Sequence, residues 1–218
     1  MSKLKELTIP GARPLPVIVL ADVSGSMNTD GKIQSLNQAM KEMLESFKSE
    51  DDLRAEIQVA VLTFGGGTVR RHVPLTSAAS AGWTDHPAAG GTPMGAAFQT
   101  AKDLLEDRSA IPGRAYRPTL VLLSDGQPTD EWKGPLKVLL DSERGGKAFR
   151  MALGIGADAD MEVLSAFLND PEARVFKADE ARQIREFFRL VTMSVTSRSR
   201  SANPNVAPQV NAAEEWDL

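Results

Sequence analysis

Three short polar clusters contain the side chains best suited to chemistry. The first is Asp22-x-Ser24-x-Ser26, the second is Gly90-Gly91-Thr92-Pro93, and the third is Ser124-Asp125-Gly126. The first and third clusters each follow directly on a run of apolar residues, and the second opens a stretch of helical periodicity. Because the carboxyl ends of parallel strands meet at one edge of a sheet, all three clusters can converge on one point.

The donors in these clusters are all oxygen atoms. Two carboxylates and three hydroxyls, without histidine or cysteine, suit a hard cation such as Mg²⁺, with Mn²⁺ or Ca²⁺ as further possibilities. Glycine between the two serines gives the loop the freedom to curl, so that alternate side chains can approach one point. Neutral hydroxyl ligands leave the ion with a net positive charge, so it would seek an external carboxylate or phosphate. The candidate metal ligands are Asp22, Ser24, Ser26, Thr92 and Asp125.

The apolar runs before these clusters predict buried strands. Residues 17–21 and 119–124 are continuously apolar apart from their ends, which is typical of strands covered on both faces. Residues 57–64 predict another strand, and a turn at 65–67 leads to an edge partner over 68–75.

Helical spacing separates the predicted strands. Residues 30–47 and 181–195 each place apolar side chains on one helix face, and another helix is expected to begin at Thr92-Pro93, where threonine can cap and proline is tolerated. The alternation predicts an α/β fold: a Rossmann-like, doubly wound, mostly parallel sheet with helices on both faces.

Composition excludes several classes of protein. The 218 residues include 25 Lys and Arg against 29 Asp and Glu, a net charge of −4 that argues against a nucleic-acid-coating function. The absence of cysteine rules out disulfides, thiolate metal sites and a cysteine nucleophile. The apolar run at 17–21 is too short for a signal peptide or a membrane span, so a cytoplasmic protein without membrane contact is expected.

The three clusters together resemble the metal-ion-dependent adhesion site (MIDAS) of von Willebrand factor type A (VWA) domains. All five motif positions match in type and order, within "VIVLADVSGSM", "GGTPMGAAF" and "LVLLSDGQPTD". The resemblance covers roughly residues 14–195 and implies a six-stranded sheet with one antiparallel edge strand. It also implies that Ser24, Ser26 and Thr92 bind the metal directly, whereas Asp22 and Asp125 act mainly through water.

Within the VWA family, the chain looks most similar to bacterial TerY-like proteins, which are associated with tellurite resistance and stress. That similarity lies in "LPVIVLADVSGSM", the ending "FFRLVTMSVTSRS" and the single-domain length. It implies a binding module that receives an acidic residue of a partner protein, in a system with a protein kinase and a PP2C-type phosphatase, and not an enzyme. Partner contacts are predicted at Gly25, Met27 and Gly91, next to the motif residues.

Two other functions are compatible with parts of the pattern. A Mg²⁺-dependent phosphohydrolase of the haloacid dehalogenase type also places an Asp after its first strand, but it needs an acidic residue where this chain has Ser24, and no lysine lies within the third cluster. A nucleotide-binding switch lacks the lysine of a phosphate-binding loop and a complete glycine fingerprint.

We predict three segments: an N-terminal lead (1–15), the VWA domain (16–196) and a flexible C-terminal tail (197–218). Hydroxyl residues lie between arginines at the start of the tail, which suggests modification by a kinase of Thr196, Ser197, Ser199 and Ser201. The tail ends with acidic residues that could reach the metal site of a neighbouring molecule.

Overall fold

The central strand of the sheet is buried along almost its whole length. In β1, every residue after Arg13 is buried, because other strands lie on both sides of it and helices cover both faces. The computed structural model describes residues 12–50 and 55–206. Its strands are β1 (Arg13–Asp22), β2 (Ala55–Gly65), β3 (Thr68–Ser77), β4 (Thr119–Ser124), β5 (Phe149–Ile155) and β6 (Phe176–Ala178).

The strands form one six-stranded sheet in the order β3-β2-β1-β4-β5-β6. All neighbouring pairs are parallel except β2 and β3, which form an antiparallel hairpin at one edge. This confirms the predicted doubly wound fold. Strand order reverses beside β1, and the adjacent pair β1 and β4 therefore carries the first and third polar clusters to one edge of the sheet.

Helices cover both faces of the sheet. Their bounds are α1 (Lys32–Lys48), α2 (Met94–Glu106), α3 (Lys133–Asp141), α4 (Met161–Leu168) and α5 (Ala181–Arg200). The helices α1 and α5 pack on one face, where Val17 and Val19 of β1 point, and α2, α3 and α4 pack on the other, where Ile18 and Leu20 point. Alternate residues of β1 thus enter two separate hydrophobic cores.

The last helix extends beyond the predicted end of the domain. We expected a tail from residue 197, but α5 continues to Arg200, and Arg198 and Ser199 are both buried. Arg198 donates hydrogen bonds to Pro204 O (2.8 Å), Thr119 Oγ1 (2.6 Å) and Arg117 O (2.5 Å). Residues 197–206 are therefore packed on the domain, and the predicted boundary of the tail at residue 197 is too early.

The same packing corrects the kinase hypothesis at one position. The Ser199 hydroxyl donates to Thr196 O and the residue is fully buried, so it is not accessible for phosphorylation in this fold. The remainder of the predicted tail, residues 207–218, and most of the predicted lead lie outside the described residues.

Across residues 12–50 and 55–206, none of the helices combines the length and the apolar character needed to cross a bilayer.

Candidate metal centre

The first cluster forms a tight loop after β1. The Ser24 N–H donates to Asp22 Oδ1 (2.8 Å), and the Gly25 N–H donates to Gly90 O (2.8 Å). A single 3-10 turn, Gly25–Asn28, follows. These bonds curl the backbone so that Ser24 and Ser26 point to the same place, as their alternate spacing predicts.

The hydroxyl groups of the loop lie against the third cluster. Ser24 Oγ and Ser26 Oγ are 3.1 Å apart, and the Ser26 hydroxyl donates to Asp125 Oδ1 (2.6 Å). Ser24 and Asp125 are buried, whereas Ser26 is exposed. The group therefore has a buried floor and an opening to solvent on the side of Ser26.

Both oxygens of Asp22 are engaged by the protein. Oδ1 accepts from the Ser24 backbone, and Oδ2 accepts from the Ser124 hydroxyl at 2.5 Å. Burial raises the pKa of Asp22 to about 6, against the opposing effect of the hydrogen bonds from Ser124 and Ser24. Asp22 thus fixes the shape of the loop and adds negative charge beside the hydroxyl groups.

Thr92 reaches the same group from the second cluster. Its backbone N–H donates to Thr129 Oγ1 (3.0 Å), and its carbonyl accepts from the Thr129 N–H (2.9 Å), which fixes it beside the loop after β4. A methyl group built on Gly126 would lie 3.6 Å from Ser26 Oγ and 4.0 Å from Thr92 Oγ1. The two hydroxyls thus face a common space that the glycine keeps open.

Thr92 does not cap the helix that follows it, contrary to the sequence-based expectation. The N-cap residue of α2 is Pro93, which has no side chain that can accept a hydrogen bond. Instead, the carboxylate of Asp130 accepts from the Gly95 N–H and the Ala96 N–H, each at 2.9 Å. Asp130 therefore serves as a remote cap, and the Thr92 hydroxyl is not used for capping.

Asn37 of helix α1 holds the long loop that ends at Thr92 through three hydrogen bonds. The Asn37 amide donates to His86 O (3.1 Å), and its oxygen accepts from the His86 N–H (2.9 Å) and the Trp83 indole (3.0 Å). The backbone of His86, and not its ring, makes the hydrogen bonds with Asn37. The ring packs against His72, with the ring centroids 5.2 Å apart.

The described site also contains a lysine that the sequence motif does not include. Lys32 Nζ lies 2.9 Å from Asp125 Oδ2, and the carboxylate is fully buried. Lys32 is the first residue of α1, in a turn that contains no acidic side chain. No local signal in the sequence indicates this contact, because Lys32 and Asp125 are 93 residues apart in the chain.

The predicted partner contacts divide into two groups. Gly25 and Gly91 are partly exposed beside the hydroxyl groups, as a contact surface requires. Met27 was predicted wrongly: it is fully buried in the core shared with α1 and α5, because the 3-10 turn directs its side chain inward.

The donor set fits a hard divalent cation. Ser24, Ser26 and Thr92 offer neutral oxygen atoms, and Asp125 offers a carboxylate, all from loops at one edge of the sheet. Among the residues described, no group of three or more His, Cys, Asp or Glu side chains is arranged to hold a metal. Any metal at this edge would therefore depend on the hydroxyl groups.

Hydrolytic chemistry gains no support from this geometry. Lys32 does place a lysine beside the third cluster, which the sequence pattern lacked, but Ser24 occupies the position where the phosphohydrolase alternative needs a general acid. Both oxygens of Asp22 accept hydrogen bonds, so this carboxylate is held by its neighbours and is not presented as a nucleophile.

A family model for the von Willebrand factor type A domain matches residues 17–127, about half of the chain, and this range contains all five motif positions. A comparison with curated protein sequences finds no significant match.

Solved structures share the fold at low sequence identity. A von Willebrand factor type A protein from Catenulispora acidiphila superposes with a TM-score of 0.64 at 22% identity, covering 87% of this chain and 43% of the other. The proximal thread matrix protein 1 of the mussel byssus, with a zinc-occupied MIDAS motif, gives 0.62 at 18% identity, covering 84% and 45%. The pilus adhesin SpaC from Lactobacillus rhamnosus GG gives 0.67 at 17% identity, covering 85% and 30%. The chain thus spans less than half the length of each of these proteins.

Proposed function

The chain belongs to the von Willebrand factor type A family, and from this premise we propose that it is a metal-dependent protein-binding module and not an enzyme. The observation that carries the proposal is the convergence of the Ser24, Ser26 and Thr92 hydroxyls with the Asp125 carboxylate at one partly open point. Relatives in this family include adhesins and matrix proteins, one of which contains zinc in its MIDAS motif.

In the proposed site, the two serines and the threonine hold a divalent cation directly, with Mg²⁺ as the expected ion and Mn²⁺ or Ca²⁺ as alternatives. Asp22 and Asp125 act mainly through water and through the hydroxyls they position. A cation bound there supplies a local positive charge that attracts an acidic side chain. This local charge matters because the chain as a whole carries −4 and does not attract acidic partners by its net charge.

The partner in this proposal is a protein that presents an Asp or Glu side chain to the metal, next to Gly25 and Gly91. The similarity to TerY-like proteins supports a bacterial stress or signalling setting in the cytoplasm, with a protein kinase and a PP2C-type phosphatase as candidate partners. No role in membrane or nucleic-acid binding is proposed.

Titration of Mg²⁺ into the protein tests the metal site. We expect Thr92→Ala and Asp22→Asn to lower the Mg²⁺ affinity by roughly tenfold or more, because each removes an oxygen ligand or the group that orients one. Thr100→Ala is the matched control, since this threonine lies on α2 and its hydroxyl donates only to Ala96 O of the same helix. Isothermal titration calorimetry measures the affinities, and circular dichroism verifies that each variant is folded.

Binding to the candidate kinase and phosphatase tests the function itself. We expect binding in Mg²⁺ that is lost in EDTA and in Thr92→Ala but kept in Thr100→Ala. If Mg²⁺ binds as expected but the partner is retained in EDTA, the metal site exists and the metal-dependent mechanism is wrong.

A further inference from the structure

Lys32 is placed at a helix terminus where a positive charge is locally unfavourable. It occupies the first position of α1, whose N-terminal end already carries partial positive charge, and no acidic residue lies in the first turn of that helix. The side chain is only 17% exposed, so water does little to compensate for this position. The described contact that offsets the cost is the ion pair with Asp125, with Nζ 2.9 Å from Oδ2.

The Lys32 side chain lies against Gly156, just after the end of β5. Gly156 follows the end of β5 with φ +75°, and a methyl group built on it would lie 3.4 Å from Lys32 Nζ and 3.6 Å from Cε. The lysine thus passes directly over a glycine on its way to Asp125. An ordinary side chain at this position would face the ammonium group.

The ion pair divides the two oxygens of Asp125 between two partners. Oδ2 faces Lys32, and Oδ1 accepts from the Ser26 hydroxyl at 2.6 Å. Lys32 therefore touches the same carboxylate that the proposed metal site uses, on the oxygen directed away from Ser26.

We propose that Lys32 is a built-in counter-cation that lowers the metal affinity of the site and raises its affinity for an acidic ligand. This inference rests on the proposed metal site. When both are ionised, the Asp22 and Asp125 carboxylates carry −2, and Lys32 reduces this to −1. A divalent cation is therefore attracted less strongly, but once it is bound the group is net positive instead of neutral. An incoming carboxylate then completes the neutralisation, which couples metal binding to ligand binding.

Titration of Mg²⁺ into Lys32→Met and Lys32→Gln tests the proposal, with acetate as the carboxylate probe. In chloride buffer, both variants should bind Mg²⁺ roughly tenfold more tightly than the natural protein, because one nearby positive charge has been removed. Replacing chloride by acetate at equal ionic strength should strengthen Mg²⁺ binding to the natural protein and strengthen it less in the variants. Lys41→Met is the matched control, since Lys41 lies on the same helix and pairs with the exposed Asp85.

Unfolding in EDTA gives a second measurement that needs no metal. Lys32→Met should lower the free energy of unfolding, and it should have a much smaller effect when Asp125 is already Asn, because the buried carboxylate is then no longer in need of a counter-charge. This cycle also shows whether both variants are folded well enough for the titrations.

The outcomes separate the two ideas. Equal or weaker Mg²⁺ binding by both Lys32 variants, with normal binding by the natural protein, overturns the role of Lys32 and leaves the metal site intact. Absence of Mg²⁺ binding in the natural protein and in every variant overturns the proposed function and this inference with it. Tighter binding in the Lys32 variants alone supports both.

Discussion

At Asp22, burial disfavours the charged form of the carboxylate, whereas its hydrogen bonds favour that form. The residue is fully buried at the end of β1, and burial raises its pKa to about 6. The hydrogen bonds from Ser24 and Ser124 favour the charged form but do not outweigh the loss of solvent. In the metal-free protein this carboxylate is therefore costly at neutral pH, at about 1.4 kcal/mol for each unit of pKa shift.

The contribution of Asp22 to the free energy of unfolding in EDTA should consequently rise as pH falls from about 6 to about 4. Because the folded protein binds the Asp22 proton more tightly than the unfolded chain, the stabilisation is fully present below the ordinary pKa and is lost as pH rises through about 6. Urea unfolding of the natural protein and of Asp22→Asn over this range measures the effect. The difference between the two proteins should depend on pH, and a constant difference would contradict the raised pKa.

At the scale of single elements, helix α2 is held at its beginning by a residue from another part of the chain. Asp130 accepts hydrogen bonds from Gly95 and Ala96, whereas the nearby Thr92 makes no such bond. The Thr92-Pro93 pair correctly predicted where the helix begins. The residue that caps it was not predictable, because the carboxylate comes from more than 30 positions further along the chain.

Asp130→Ala should lower the free energy of unfolding by about 1 kcal/mol, the ordinary cost of losing an N-cap. Asp103→Ala is the matched control: Asp103 is exposed on the same helix, and its side chain contacts only Gln99 and Lys102 among the bonds described. We expect it to change stability by less than about 0.5 kcal/mol. Urea denaturation measures both, and equal effects would show that the cap contributes nothing.

At the scale of the whole molecule, the end of α5 ties the C-terminal part of the described chain to the sheet. The Arg198 guanidinium is 4.1 Å from the centre of the Phe149 ring and donates a hydrogen bond to Thr119 at the start of β4. Burial, with a smaller effect of Arg117, lowers the pKa of Arg198 to about 10, so the group stays charged at neutral pH. Its charge is used at the amino ends of the strands, away from the candidate metal centre.

Arg198→Met should destabilise the protein by about 3 kcal/mol or more, since it leaves the carbonyls of Arg117 and Pro204 and the Thr119 hydroxyl without this donor. Arg182→Ala, on the same helix but in an exposed pair with Glu186, should cost less than about 1 kcal/mol. Thermal and urea unfolding measure both changes. A small effect of Arg198→Met would mean that residues 197–206 are held by other contacts.

The sequence by itself determined the order of the strands' apolar runs, the hydroxyl and carboxylate residues at their ends, and the doubly wound fold that brings these ends together. Period and composition are sufficient for this, because buried parallel strands must be apolar and their carboxyl ends must share an edge. The sequence alone therefore predicts that the three clusters, with Asp22 to Ser26, Thr92 and Asp125, lie near one point.

The tertiary structure alone decided which partners those residues have. Lys32 meets Asp125, Arg198 meets Thr119, and Met27 turns into the core, and in none of these cases do sequence neighbours specify the contact. Each depends on side-chain direction and on the distance between elements that are far apart in the chain. Periodicity assigns a residue to one face of a helix or strand. A buried polar group is costly without a partner, so each buried charge must find one. Which charge or carbonyl lies opposite it depends on how the elements pack.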